Sequence, residues 1–272
     1  MNNLLKTEWL KLRKYPAFWW MIGIVALSYP GINYVFYHIF QNVMERGGER
    51  TTNILKMLMG NPFTFPEVWH TVAWTSTIFV FIPSILVIMF ITNEYTYKTH
   101  RQNIIDGWSR NQFMISKMVD VFLVSLITTI LFTIVTLVIG YVNIKDGNGE
   151  VWNQTKYIWL FFLQTLSQLS LAFLIAFLTR KAFIALGIFL FYKLILEKVM
   201  VGLAAWKLND IGRFLPFEIS NRIIPPPAFL GRFDQDGYNA SMAAINNFVV
   251  YTIILLFVTW LICFRINSKR DL

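Results

Sequence analysis

The chain has 272 residues, 56% of them hydrophobic and only 14% charged, with a formal net charge of +9. Soluble domains carry about 25% charged residues, so this composition excludes a water-soluble globular protein and points to an integral membrane protein. The single cysteine, Cys263, excludes an internal disulfide and any multi-thiolate metal site, and His38, His70 and His100 stand at no ligand spacing.

The first segment, residues 2–14, reads NNLLKTEWLKLRK. At 100° per residue Leu5, Trp9 and Leu12 share one face while Lys6, Arg13 and Lys14 lie off it. That pattern fits a short interfacial helix, apolar side in the headgroups and basic side toward anionic lipid. A plain basic flank that fixes topology explains the charges equally well.

Six apolar runs follow, each near the length of about 20 residues that crosses a hydrocarbon core as a helix. They cover about 16–37, 71–92, 118–142, 157–179, 183–203 and 245–264, which defines an all-α transmembrane domain of six helices with both termini on one side. The first run is longer than a signal-peptide core and is interrupted by Pro30-Gly31, so it is expected to remain as a span. Pro30 and Pro83 fall inside the first and second runs. Each removes one backbone hydrogen bond, which makes it either a hinge or an ordinary packing feature.

Between the second and third runs lies NEYTYKTHRQNIIDGWSRNQFMISK, Asn93 to Lys117. Ile104, Ile105 and Trp108 form one apolar knob on a short helix, ringed by Arg101, Asp106 and Arg110. Gly107 weakens that helix, and Ser109 is placed to cap the next. The knob suits docking into a partner's groove, and it equally suits a solvated loop whose Trp returns to the bilayer interface. Asp120 is expected to pair with Lys117 or Arg110.

Only Arg180-Lys181 separates the fourth run from the fifth, so those two form a tight antiparallel pair. The fifth run carries Lys193, Glu197 and Lys198, with Lys193 and Glu197 at the i, i+4 spacing of a helical ion pair. Lys193 lies about 16 Å along such a helix, near mid-bilayer. A charge there costs roughly 2.5–3.5 kcal/mol, so this side faces protein or water, as a lining of a pathway or a dimer seam. The other reading is a shorter span with Glu197 and Lys198 at the surface and Lys193 snorkelling. The long segment 204–244 is broken by Pro225-Pro226-Pro227 and Gly231.

With both termini in the cytoplasm, the inner segments hold thirteen basic and four acidic residues and the outer segments nine of each. The charge imbalance therefore records topology and attraction to anionic lipid, and it removes nucleic acid as a partner.

The 93–117 segment resembles the signature of ABC type-2 permeases, the membrane subunits of a large bacterial exporter class. Glu94, Thr99, Ile104-Ile105, Ser109-Arg110 and Ser116-Lys117 match that pattern in order and spacing, while Lys98 stands where the family often has glycine. The resemblance implies that Glu94, Thr99, Arg101, Ile104, Ile105, Trp108, Ser109 and Arg110 couple the spans to separate ABC ATPase subunits. It also implies a second permease copy or homologue as partner, short helices dipping back into the outer leaflet within 204–244, and a place in the bacterial cytoplasmic membrane. The sequence contains no G-x-x-x-x-G-K-[ST], H-E-x-x-H or G-x-S-x-G. ATP and Mg would thus sit on the partner, with no cofactor and no catalysis on this chain. The expected cargo is lipid-like, drug-like or peptide-like. The alternative is a secondary carrier or channel that uses the charges of the fifth span.

Overall fold

The computed structural model describes residues 13–14, 16–46, 61–105, 107–144, 150–207, 210–231 and 234–269. Leu5, Trp9 and Leu12, and with them the expected interfacial helix, lie outside the described residues, as does Asp106. The principal helices are α1 (Pro16–Arg46), α2 (Val68–Thr96), α3 (Thr99–Ile105), α4 (Arg110–Val142), α5 (Lys156–Thr179), α6 (182–207), α7 (Pro216–Asn221) and α8 (Gln235–Lys269), with short helical turns at Ile211–Phe214 and Ala228–Gly231.

Helix α5 is the axis of the bundle, with α2, α4, α6, α7 and α8 packed around it. Through its middle, Gln164, Thr165, Ser167, Gln168, Leu169, Ser170, Leu171, Ala172 and Phe173 are buried all round the circumference, as expected of a helix enclosed by others. The outer helices instead turn apolar side chains outward. Phe183 is 90% exposed and Phe257 69%, and α4 presents Phe122, Leu126, Ile130, Ile134 and Val138. A polar-poor exterior of this kind is stable only in hydrocarbon or against another apolar surface.

By length and composition α2, α4, α5 and α8 can cross a membrane. The first and fifth expected spans fall on α1 and α6. In α1 the apolar run is diluted by Ser28, Tyr29, Pro30 and Asn33 over its 31 residues. In α6 the helix is cut into pieces of nine, six and eleven residues by a π-helical stretch, Phe191–Leu196.

Several helices overrun the apolar runs that announced them. The third begins at Arg110, eight residues before the expected 118, because Ser109 forms a capping box: its hydroxyl accepts from Gln112 N at 3.2 Å while Gln112 Oε1 accepts from Ser109 N at 2.8 Å. The last begins at Gln235, ten residues before the expected 245, with Asp234 Oδ1 accepting from Gly237 N at 3.0 Å. Hydropathy marks only the part of a helix that meets lipid; polar residues with a cap extend it beyond.

The prolines behave differently from one another. Helix α1 continues on both sides of Pro30. Pro83 follows a 3-10 stretch, Ile78–Val80, so its missing N–H falls where the hydrogen-bond ladder has already changed pitch.

Candidate functional site

Two polar clusters occupy opposite ends of the bundle. The first joins three segments that the charge pattern placed on one side: 93–117, the turn at Arg180, and the end of α8. Helix α2 ends at Thr96, and Lys98 then adopts φ 56°, the left-handed region where glycine is the ordinary occupant. The position that departs from the family pattern thus keeps the turn a glycine would make. Thr99 Oγ1 and His100 Nδ1 lie 3.4 and 3.2 Å from the Glu94 carbonyl, which fastens α3 under the end of α2.

Helix α3 is stopped rather than weakened by Gly107. With Gly107 at φ 98°, Gly107 N donates to Ile104 O and Trp108 N to Asn103 O, each at 3.0 Å. This paired closure is the Schellman turn, and it needs a left-handed residue after the helix. It leaves Ile105 78% exposed, Ile104 and Trp108 half-buried, and Arg101 on the surface.

Glu94 is not on that surface. It is buried with Lys117 and Asp120, where Lys117 Nζ stands 2.7 Å from Glu94 Oε1 and 3.0 Å from Asp120 Oδ2. The Phe90 and Phe113 rings lie 4.8 and 5.6 Å from the same ammonium. Asp120 therefore takes the first of its two expected partners, and Glu94 serves to join α2 to α4 inside the bundle. A charged group can be buried here because its counter-charges are supplied at hydrogen-bond distance.

Arg110, half-buried, is turned toward the end of α8. Its guanidinium donates to Ser268 O at 3.1 Å, and Asn267 Nδ2 donates to Arg110 O at 2.8 Å, so the start of α4 is clasped to the last turn of α8. A cation on the closing carbonyls of a helix is favoured by the helix dipole. On the other flank the Arg180 guanidinium lies 4.9 Å from the centre of the Tyr95 ring.

At the opposite end, Trp69 Nε1 donates to Val151 O at 2.7 Å, Gln154 Nε2 to Glu67 Oε1 at 2.8 Å, and His70 Nε2 lies 2.8 Å from Pro225 O. His70 also stacks on Tyr157 with centroids 4.3 Å apart. Here α7 enters the bundle. Gln168, in the middle of α5, donates to Asn221 Oδ1 at 2.9 Å and to Ser220 Oγ at 3.3 Å, and Gln164 donates to Asn221 Oδ1 at 3.2 Å.

Lys193 and Glu197 do not pair with each other among the described residues. The stretch Phe191–Leu196 between their backbones is π-helical, and each of the two side chains turns to a different neighbour. Lys193 Nζ instead donates to Gln168 Oε1 at 2.6 Å, between the Phe189 and Phe217 rings. Glu197 Oε1 accepts from Glu218 N at 2.5 Å, at the N-terminus of α7, where a carboxylate meets otherwise unbonded amides. Both are buried, whereas Lys198 is exposed and reaches Glu218 Oε2 at 3.5 Å. The charges of the fifth run thus hold α7 against α5 and α6. The sequence reading passed over Gln164 and Gln168; two glutamines four apart in the middle of an apolar run were the signal.

An all-helical bundle with an apolar exterior, buried polar ties and a helical segment projecting between α2 and α4 is the build of a multi-pass membrane protein. Residues 4–195 match the family described as ABC-2 family transporter protein, well over half of the chain, and the chain belongs to that family. No curated protein matches it.

Proposed function

We propose that this chain is the permease subunit of an ATP-driven exporter, with α1, α2, α4, α5, α6 and α8 crossing the membrane and both termini in the cytoplasm. Two separate ATPase subunits bind ATP and Mg, and two permease copies, identical or homologous, form the conduit between them. The cargo class is lipid-like, drug-like or peptide-like, in keeping with the apolar, aromatic exterior of the bundle. In this reading 93–117 lies in the cytoplasm and 204–234 on the outer side, where α7 dips back toward mid-span.

The observation that carries the reading is α3 with its Schellman stop. It presents Ile105, with Trp108 half-buried beside it, on a projection anchored at both ends, by Arg110 clasped to α8 at the start of α4 and by Tyr95 against Arg180 at the end of α2. A partner pressing there moves the helices and not a slack loop.

The test is to purify the tagged chain from its native membrane in mild detergent and identify co-purifying ATPase, with Ile105→Asp and Trp108→Ala beside the wild type. Ile105 is so exposed that its substitution leaves the bundle intact. A near-stoichiometric ATPase released by these changes supports the proposal; a chain that purifies alone and ignores them removes it. Arg110→Glu is a poor probe, since it also breaks the clasp to α8.

The carrier or channel reading draws on the burial of Lys193. It expects transport without any ATPase and its loss in Lys193→Met. The ties from Lys193 to Gln168 and from Glu197 to α7 account for both residues structurally, so the exporter reading is preferred.

A further inference from the structure

Where α7 meets α8, a cleft of about 620 Å³ opens at the end of the bundle opposite α3, lined by Lys198, Arg213, Asn221, Arg222, Trp74 and Phe248 among others. We propose that this cleft binds the phosphate of an anionic phospholipid headgroup from the outer leaflet. The inference rests on the membrane placement above and is independent of the ATPase.

The cleft has an excess of donors. Its two acids are committed: Asp210 takes Arg222 through two bonds of 2.8 and 2.9 Å, and Glu218 Oε1 takes Arg222 Nε at 3.0 Å. That leaves Lys198, held only at 3.5 Å by Glu218, and Arg213, which has no carboxylate within ion-pair distance among the described residues and stacks on the Phe214 ring at 4.9 Å. Asn221 adds a third donor. Its Oδ1 is occupied by Gln164 and Gln168, and its amide NH₂ has no acceptor among the described residues.

Three cations against two carboxylates, with a primary amide between them, fit one monovalent anion. The rest of the lining is apolar: Trp74, Phe248, Ile224 and the flank of Pro225-Pro226. A volume of this size exceeds what a bare phosphate needs and suits a phosphate ester with the glycerol and first methylenes attached. The depth agrees as well. Trp152, Trp159 and Trp206 are 70%, 75% and 77% exposed at this end, and exposed tryptophans mark the headgroup level.

The full chain in detergent micelles is titrated with dioleoyl phosphatidylglycerol, dioleoyl phosphatidylcholine and sodium phosphate. Lipid adducts are counted by native mass spectrometry and the melting midpoint is followed by tryptophan fluorescence. Phosphatidylglycerol is expected to bind and raise the midpoint more than phosphatidylcholine. Its binding should weaken by about tenfold or more in the Lys198→Gln/Arg213→Gln double variant, one charge-assisted hydrogen bond being worth at least that factor. Arg213→Lys should retain most of it. Equal binding of the two lipids, or undiminished phosphatidylglycerol binding in the double variant, overturns the proposal. Phosphate alone protecting as well as the lipid keeps the anion site and overturns the headgroup assignment. The Arg213→Gln single variant, with its lipid-free midpoint as the control for folding, repeats the reading on a chain altered only at one exposed side chain. None of these results depends on an ATPase being present.

Discussion

Lys98 and Arg180 both sit at φ 56° without being glycine, Lys98 between α2 and α3 and Arg180 at the end of α5. A left-handed conformation costs a side-chain-bearing residue roughly 1–2 kcal/mol, and glycine returns about 0.5–1 kcal/mol of that as unfolded-state entropy. Lys98→Gly is therefore expected to leave stability equal or up to about 1 kcal/mol higher, read from the melting midpoint in detergent; a clear loss would mean that the Lys98 side chain carries a tie of its own. Arg180→Gly should lose instead, because it also removes the contact with Tyr95. Lys117 is the opposite case. Removing it leaves Glu94 and Asp120 buried side by side, and Lys117→Met is expected to cost about 3–5 kcal/mol, measured by denaturant unfolding in micelles. Of this cluster the sequence disclosed the Lys117–Asp120 partnership, since both lie one helical turn apart. It hid the burial of Glu94, because a carboxylate beyond the end of an apolar run looks solvated until the cation that meets it comes from another helix.

At the scale of elements, the ends of helices are where local chemistry decides. Ser109→Ala removes the capping box and should fray the start of α4 at a cost of about 1 kcal/mol, visible as faster amide exchange over 110–114. Glu197→Gln keeps the shape of the side chain at the N-terminus of α7 and removes its charge, so amides 217–221 should exchange faster while those of α5 stay protected. Uniform exchange across both would show that α7 is held by apolar packing alone. The apolar cores of α2, α4, α5 and α8 were legible because a run of about 20 apolar residues has few other uses. Two features were not. The polar start of α8 carries no hydropathy signal, whereas Ser109 announced that of α4, and no periodicity in the fifth run encodes the π-turn in α6.

For the whole molecule, the charge pattern along the chain and the folding of the segments agree. Tyr95 and Arg110, Arg180, and Asn267 and Ser268, from segments assigned to one side by their basic residues, come together at one end of the bundle, and 67–70, 151–154 and 225 come together at the other. The orientation itself is open to direct measurement. In a Cys263→Ser background, Ser241→Cys is expected to react with a membrane-impermeant maleimide applied to intact cells, and Lys181→Cys only after the cells are opened; the reverse pattern would invert the topology.

The clasp between Arg110 and the last turn of α8 has a mechanical meaning. Helix α8 has 35 residues and is therefore about 52 Å long, against about 30 Å for the hydrocarbon layer. It is held at one tip beside α3, and its first turns, with Ala240, Ser241 and Ala244, form a wall of the cleft at the other. A rigid rod gripped at one end is a lever. A tilt of about 5° at the clasp displaces the far tip by roughly 4–5 Å, on the scale of a headgroup cleft, and it is resisted midway where Trp260 Nε1 donates to Ser170 Oγ at 3.1 Å and stacks on Phe173 of α5.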